Sequence, residues 1–154
     1  IPNRKELAKS LRKICDAQDL ALIVANDVNL ALEVKADGLH LPNYRLNVPP
    51  KDFLKWGRSG NGFLTAAIHS SQALIKALRL KVDAAFLSPV FRTESHPKKA
   101  PLGLMRFIKI CNSTDLPIYA LGGIDNISAK RMLSSGATGI AGLGGIIETT
   151  QKAR

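Results

Sequence analysis

The sequence is poor in several features that mark other classes of protein. Aromatic residues make up only 5% of its 154 residues, which argues against a stacking surface for single-stranded nucleic acid. No apolar run approaches the roughly 20 residues that span a bilayer, and the N-terminus carries no signal-peptide pattern. Two cysteines, Cys15 and Cys111, are too few for a disulfide framework and have no partner at zinc-ligand spacing. These absences favour a globular protein of the reducing cytoplasm that binds neither nucleic acid nor a membrane.

Positive charge is in excess, but it is scattered along the chain. Lys and Arg number 22 against 12 Asp and Glu, a net charge of +10, and no block of five or more like charges occurs. A basic surface attracts anions, among them nucleic acids, lipid headgroups and phosphorylated metabolites. A solvated surface and a site for an anionic substrate both fit this composition, so the choice depends on the motifs.

Helical and strand patterns alternate along the whole sequence. The predicted helices are 4–18, 27–35, a short one around 53–56, one containing 74–78, then 102–112, 126–135 and the closing segment. The predicted strands are 20–25, 38–41, 62–68, 84–87, 117–121 and 139–143. Six strands that alternate with helices predict an α/β fold with a parallel sheet and helices outside it.

A weak repeat supports this architecture. The segments 35–38, 81–84 and 136–139 each stand between a helix and a strand, which indicates repeated α-then-β units. An open doubly wound sheet and a TIM (β/α)8 barrel both fit, but no Gly-x-Gly-x-x-Gly fingerprint follows the first strand. Because six strands are two short of a barrel, we expect residues 1–154 to form a single, partial TIM-barrel domain that lacks its N-terminal βαβ portion.

Two glycine pairs follow the last two predicted strands, where barrels commonly hold a phosphate. Gly122 and Gly123 form the first pair, and Gly144 and Gly145 form the second. Glycine lets the backbone approach an anion, and the start of the next helix offers free N–H groups. Tight turns without a ligand are the alternative.

Other polar residues also stand near predicted strand ends. In the long loop after the fourth strand, Thr93 and Ser95 present hydroxyls that fit a phosphate, although a solvated loop is the alternative. Asp27 is a candidate magnesium ligand or a helix N-cap. His69 is a candidate acid or base, or a histidine satisfied near a helix start. His40 lies within an apolar strand and is expected to have a core role.

Five segments, taken in order over about residues 20–147, resemble thiamine phosphate synthase and its relative thiazole tautomerase. They read GLHL at 38–41, AIHS at 67–70, SPVFRTES at 88–95, PLG at 101–103 and ALGGI at 120–124. The resemblance implies a TIM barrel, and the match to this sequence begins around the second helix of that barrel. It also implies a transferase of thiamine biosynthesis that joins hydroxymethylpyrimidine pyrophosphate to thiazole phosphate, with Mg²⁺ as cofactor.

The resemblance further implies roles for individual residues. Thr93 and Ser95 fall where the family binds phosphate. Gly122 and the backbone of Leu143 and Gly144 fall where it holds thiazole phosphate or the product. Asp27 matches the magnesium-binding Asp of an Asn-Asp pair, and His69 aligns with the catalytic histidine of thiazole tautomerase.

Several positions depart from the family pattern. Arg45 stands where the second magnesium ligand is expected, Val28 replaces an arginine, and the strand that contacts the pyrimidine is not in this sequence. The fold and a phosphate site therefore carry over better than catalysis. Thiazole tautomerase and a non-catalytic protein that binds thiazole phosphate or thiamine phosphate remain alternatives. Phosphorylated small molecules are the expected partners, and a homodimer is a candidate assembly.

Overall fold

The computed structural model describes residues 3–58, 60, 62–93 and 100–142. Its α-helices are α1 (Arg4–Ala17), α2 (Val28–Glu33), α3 (Lys51–Arg58), α4 (Ser71–Arg79), α5 (Leu104–Cys111) and α6 (Asn126–Lys130). Its strands are β1 (Ile23–Ala25), β2 (Gly38–Leu41), β3 (Phe63–Ile68), β4 (Ala84–Leu87), β5 (Ile118–Leu121) and β6 (Gly139–Ala141). A short 3₁₀ helix, Asn43–Arg45, follows β2.

All six strands belong to one parallel sheet, and each pairs with its neighbours in the chain. The order is β1-β2-β3-β4-β5-β6, with no reversal. A doubly wound sheet reverses its order midway, so that alternative is wrong. Because parallel crossovers are right-handed, a steady advance in one direction places the connecting helices on one face, as in the wall of a barrel.

The two faces of the sheet are buried to different degrees. Side chains on the helix-covered face, such as Leu39, Leu41, Ile68 and Leu87, are fully buried and pack into one hydrophobic cluster. The alternate residues point to the other face and are mostly half-buried. On that face the His40 ring meets Phe86 edge-on at 5.6 Å, and Phe86 stacks on Tyr119 at 5.4 Å.

The first strand is shorter than the apolar run 20–25 predicts. Leu20 is 57% exposed, and its N–H donates to Cys15 O at 2.9 Å, so it belongs to the end of α1. Asp19, in the left-handed region with φ 53°, turns the chain there. The first residues of the apolar run therefore belong to the turn that ends α1, and β1 is only three residues long, Ile23–Ala25.

The repeated corners have one structure. Lys35, Lys81 and Gly136 each adopt a positive φ (49°, 54° and 77°) after a helical segment. Two residues later, the N–H groups of Asp37, Asp83 and Thr138 donate to the carbonyls of Leu22, Leu64 and Ile118 at 2.8–2.9 Å. The repeat thus forms one backbone hydrogen bond in each of these helix-to-strand corners.

The last part of the chain differs in extent from the prediction. Helix α6 ends at Lys130 and turns follow it, whereas a helix to 135 was expected. Strand β6 is described to Ala141, and the predicted closing helix lies outside the described residues. Within the described part of the chain, no helix is both long enough and apolar enough to cross a bilayer.

Candidate functional site

Polar residues follow the carboxyl ends of neighbouring strands. Asn26 and Asp27 come after β1, His69 after β3, Ser88 after β4, and Gly122 after β5. Because these strands are parallel members of one sheet, the residues lie along one edge of it, the usual place for the active site of a barrel. The predicted site residues within the described ranges therefore share this edge.

The His69 ring is oriented by the loop after β4. Its Nδ1 lies 2.7 Å from the carbonyl oxygen of Ser88 and 3.3 Å from Ser88 Oγ. A carbonyl only accepts, so Nδ1 carries the proton and donates it to this bond. In the neutral ring Nε2 then keeps its lone pair, and His69 is arranged to act as a base through Nε2.

The loop after β4 is fastened to the glycine turn after β5. The N–H of Val90 donates to Leu121 O, and the N–H of Phe91 donates to Gly122 O, both at 3.0 Å. Thr93, two residues further on, is half-buried. The structure therefore joins the candidate phosphate loop to the Gly122-Gly123 turn.

Both glycines of this turn are required by close packing as well as by conformation. Gly122 and Gly123 have φ of 95° and 66°. A Cβ on Gly122 would lie 2.8 Å from Pro89 Cα, and one on Gly123 would overlap the carbonyl oxygen of Arg92. The sequence pattern predicts an anion at this pair, and the close contacts show that packing of the neighbouring loop also requires both glycines.

Asp27 has partners for both carboxylate oxygens. Oδ1 accepts a hydrogen bond from the N–H of Leu30 at 3.0 Å and so caps α2, the alternative that the sequence left open. Oδ2 lies 3.3 Å from Arg4 Nη1 on the first turn of α1. Asp27 is therefore committed to a helix cap and an ion pair.

A resident magnesium ion does not fit these groups. Magnesium prefers octahedral oxygen ligands and uses one or two carboxylates when phosphates supply the rest. Among the described residues no cluster of three or more His, Cys, Asp or Glu side chains exists, and a guanidinium already occupies Asp27. Arg45, where a second carboxylate was expected, is exposed, with its guanidinium carbon 5.8 Å from the Tyr44 ring centroid.

Two further polar side chains lie near the same end of β1 and β2. The Oδ1 of Asn26 is buried and has no hydrogen-bond partner among the described residues. His40 Nδ1 lies 2.9 Å from Thr65 Oγ1, which donates to Leu39 O at 3.3 Å. Burial lowers the pKa of His40. Its ring is half-buried on the face opposite the hydrophobic cluster, so it does not lie in the core as the sequence predicts.

The remaining predicted residues lie outside the described residues: Ser95, Leu143, Gly144 and Gly145. Sequence reasoning missed Arg4 and the orienting carbonyl of Ser88. The position of Arg4 could have been predicted. A helix that precedes a parallel strand begins at the sheet edge where that strand ends, so the first residue of α1 lies near the end of β1. The Ser88 contact could not have been predicted, since any residue provides a carbonyl.

The comparisons with known proteins agree with this geometry. The model of the thiamine monophosphate synthase family matches residues 2–146. The chain belongs to this family. The resemblance of the sequence to thiamine phosphate synthase is therefore confirmed.

Two curated relatives carry the name thiamine-phosphate synthase. The protein of Chlamydia caviae is 31% identical over 146 residues, which cover 88% of this chain and 63% of the relative. That of Chloroflexus aurantiacus is 32% identical over 143 residues, 92% of this chain and 64% of the relative. The chain thus spans less than two thirds of the length of these two relatives.

Solved structures show the same fold. Thiamine phosphate pyrophosphorylase from Pyrococcus furiosus matches with a TM-score of 0.75 and 27% identity, over 93% of this chain and 67% of that one. A structure described as native KDPGal matches with a TM-score of 0.68 over 93% of this chain and 65% of that one. Its identity is only 12%, so that likeness shows the fold alone.

Proposed function

We propose that this chain carries the catalytic edge of a thiamine phosphate synthase-like transferase, which joins hydroxymethylpyrimidine pyrophosphate to thiazole phosphate. The observation that carries the proposal is the bonded series from His69 through the Ser88–Thr93 loop to the Gly122-Gly123 turn, in a chain of the matching family. The proposal is supported by the groups that this series carries: the Thr93 hydroxyl, the backbone of the Gly122-Gly123 turn and the His69 imidazole are the kinds of group that a phosphorylated substrate requires.

The chemistry of the proposed reaction is a substitution at one carbon. Pyrophosphate leaves with the electron pair of the C–O bond, a pyrimidine carbocation forms, and the thiazole nitrogen captures it in a new C–N bond. Neither step moves a proton. The protein therefore has to hold two phosphorylated ligands in line, shelter the cation from water and stabilise the leaving group. The described residues fit no resident magnesium ion, so magnesium would be bound mainly by the pyrophosphate of the substrate.

The phosphate contact is tested by removing one hydroxyl. Thr93→Val keeps the shape of the side chain, and we expect it to weaken binding of thiazole phosphate about tenfold or more, since hydrogen bonds to charged groups are strong. Thr138→Val, at the opposite edge of the sheet, is the matched control and should bind normally. Equal affinities of both variants in calorimetry would remove Thr93 from the site. The substitution Gly122→Asp is less informative, because its side chain would also collide with Pro89.

Thiazole tautomerase is a second candidate, favoured by the orientation of His69. A tautomerase moves a proton, and the Nε2 lone pair fits a base, whereas the transferase needs none. We expect His69→Asn to reduce tautomerase activity at least 100-fold and to change thiamine phosphate formation less than about fivefold. Ser88→Ala is the control, because it keeps the carbonyl that holds Nδ1. Binding of thiazole phosphate without either activity would favour the non-catalytic alternative.

We also propose that residues 1–154 belong to one TIM-barrel domain whose wall is closed by βα units beyond these six strands. Both outer strands of the described sheet, β1 and β6, pair on one side only. The α1 residues Leu7, Leu11 and Ile14, four and three positions apart, are 39–55% exposed. These apolar side chains match the surface on which a preceding helix of a barrel packs.

The proposal includes a cytoplasmic location and a homodimer as the assembly to test. Both cysteines are free, and burial raises the pKa of the Cys111 thiol to about 11, so it stays protonated. A protein with free thiols suits a reducing compartment. Sedimentation equilibrium of the full-length protein distinguishes a monomer from a dimer.

A further inference from the structure

A guanidinium from the first turn of α1 reaches the carboxyl edge of the sheet. Arg4 Nη2 donates to the carbonyl oxygen of Ala25 at 2.5 Å, and Nη1 lies 3.3 Å from Asp27 Oδ2. Ala25 ends β1, and Asp27 begins the turn after it. Arg4 is therefore held at two points of the same strand end, and its side chain remains 43% exposed.

The direction of the Ala25 carbonyl makes this position specific. The N–H of Asn26 donates to His40 O on β2, so Asn26 faces β2 and the preceding Ala25 faces away from it. The carbonyl of Ala25 thus points past the outer strand of the described sheet. Arg4 satisfies a backbone acceptor that β2 does not reach.

These contacts leave part of the guanidinium for a ligand. Arginine has five N–H donors in a planar fork, and the two contacts use one N–H of each terminal nitrogen. The remaining donors suit a phosphate, which arginine binds with two parallel hydrogen bonds. Because the side chain is already held in place, less conformational entropy is lost when an anion binds.

We propose that Arg4 is the fixed cation of this site: it neutralises Asp27, competes with divalent cations for that carboxylate, and binds a phosphate group of a pyrophosphate-bearing ligand directly. The ligand class rests on the proposed function. The competition with divalent cations rests on the Arg4–Asp27 contact, which adds to the lack of a ligand cluster among the described residues.

The first test measures the binding of inorganic pyrophosphate to the full-length protein by calorimetry, in buffer containing a chelator. We expect Arg4→Gln to weaken binding about tenfold, the typical loss for a charge-assisted hydrogen bond. Lys13→Gln is the matched control, because it removes the same charge from an exposed position of the same helix. Its affinity should stay within twofold of the wild type. Equal affinities of the two variants, or no pyrophosphate binding by the wild type, overturn the proposal.

The second test measures Mn²⁺ binding, by its paramagnetic resonance signal, without pyrophosphate. We expect Arg4→Gln to bind Mn²⁺ two- to fivefold more tightly than the wild type, the range for removal of an exposed ion-pair partner. Asp27→Asn should abolish that gain when combined with Arg4→Gln. An unchanged affinity in Arg4→Gln contradicts the competition. Arg4→Lys, which keeps the charge but loses the fork, should give intermediate values in both titrations and serves if Arg4→Gln does not fold.

Neither titration requires turnover, so the inference and the proposed function fail separately. Arg4-dependent pyrophosphate binding in a protein that forms no thiamine phosphate rejects the transferase and supports Arg4. Thiamine phosphate formation that is unaffected in Arg4→Gln, together with unchanged pyrophosphate binding, rejects Arg4 and leaves the transferase.

Discussion

Gly123, in the turn after β5, lets the loop after β4 pack directly against the backbone of that turn. Its φ of 66° favours glycine, and its missing Cβ leaves room for the carbonyl of Arg92. We expect Gly123→Ala to lower the free energy of unfolding by about 2–4 kcal/mol, the sum of backbone strain and overpacking. Urea denaturation provides the measurement.

The control for this variant is another glycine with similar backbone geometry. Gly60 has a φ of 70°, but nothing lies within 4 Å of the position of its Cβ. Gly60→Ala should therefore cost only the conformational strain, about 1 kcal/mol. Similar losses in both variants would show that the contact with the Arg92 loop does not constrain the turn.

Asp37 makes stability dependent on acid. The hydrogen bond from Arg12, and then that from the N–H of Leu22, hold the pKa of this carboxyl below its ordinary value of 3.8. A lowered folded-state pKa contributes stability that is present above pH 3.8 and is lost as the pH falls through the lowered value. We expect Asp37→Asn to be less stable than the wild type at pH 7, and the difference to narrow steadily as the pH falls below 3.8.

Urea midpoints at a series of pH values between 7 and 2.5 measure this difference. Asp115→Asn, at an exposed position, is the control and should keep a constant small offset from the wild type. A gap between wild type and Asp37→Asn that stays constant from pH 7 to pH 2.5 contradicts the assignment of the effect to this carboxyl.

The helix-to-strand corners explain why short segments of sequence repeat. In two of them an aspartate, Asp37 or Asp83, also accepts a backbone N–H from the neighbouring strand segment, from Leu22 at 2.7 Å and Leu64 at 2.6 Å. The third corner has Thr138 at that position and glycine at the positive-φ position. The sequence similarity therefore reflects one way of ending a helix and starting a parallel strand.

The positive φ at Lys81 gives a prediction for the corner after α4. Lys81→Gly removes the steric penalty of a side chain at φ 54°, and we expect it to raise the free energy of unfolding by about 0.5–1 kcal/mol. Lys109→Gly within α5 is the opposite control and should lower it by about 1 kcal/mol. A loss of stability in both variants, measured by urea denaturation, would contradict the strain at this corner.

Most elements could be predicted because their signals are local. The strand 84–87 has the predicted bounds, and Asp27 and Ser70 cap helices where polar residues precede apolar spacing. The shorter β1 could not be predicted, because the apolar run does not show where the end of α1 takes over. The Arg4–Asp27 pair joins residues 23 positions apart, so only the packing of α1 beside β1 defines it.

Helix α1 has exposed apolar side chains on one side, and these residues provide a test of barrel closure. Ile14 is 55% exposed. If this side of α1 stays in water, Ile14→Lys should lower the free energy of unfolding by less than about 0.5 kcal/mol. In a closed barrel the same change places a charge against a packed helix, and we expect a loss of about 2 kcal/mol or more. Met105→Lys on α5, at a 77% exposed position, should be tolerated in either case. Thermal denaturation of the full-length protein and of residues 1–154 measures both.

The strictly sequential strand order also shapes how the chain folds. Partners in the sheet are separated by as few as 15 positions, Ile23 and Gly38, and by no more than 33, Ala85 and Ile118. Each pairing therefore spans a single crossover connection, and no strand pairs with a distant part of the chain. Each strand meets its partner soon after both leave the ribosome, so the wall is able to grow strand by strand during synthesis. Such growth keeps the newest strand as the exposed edge, and the next unit to emerge covers it.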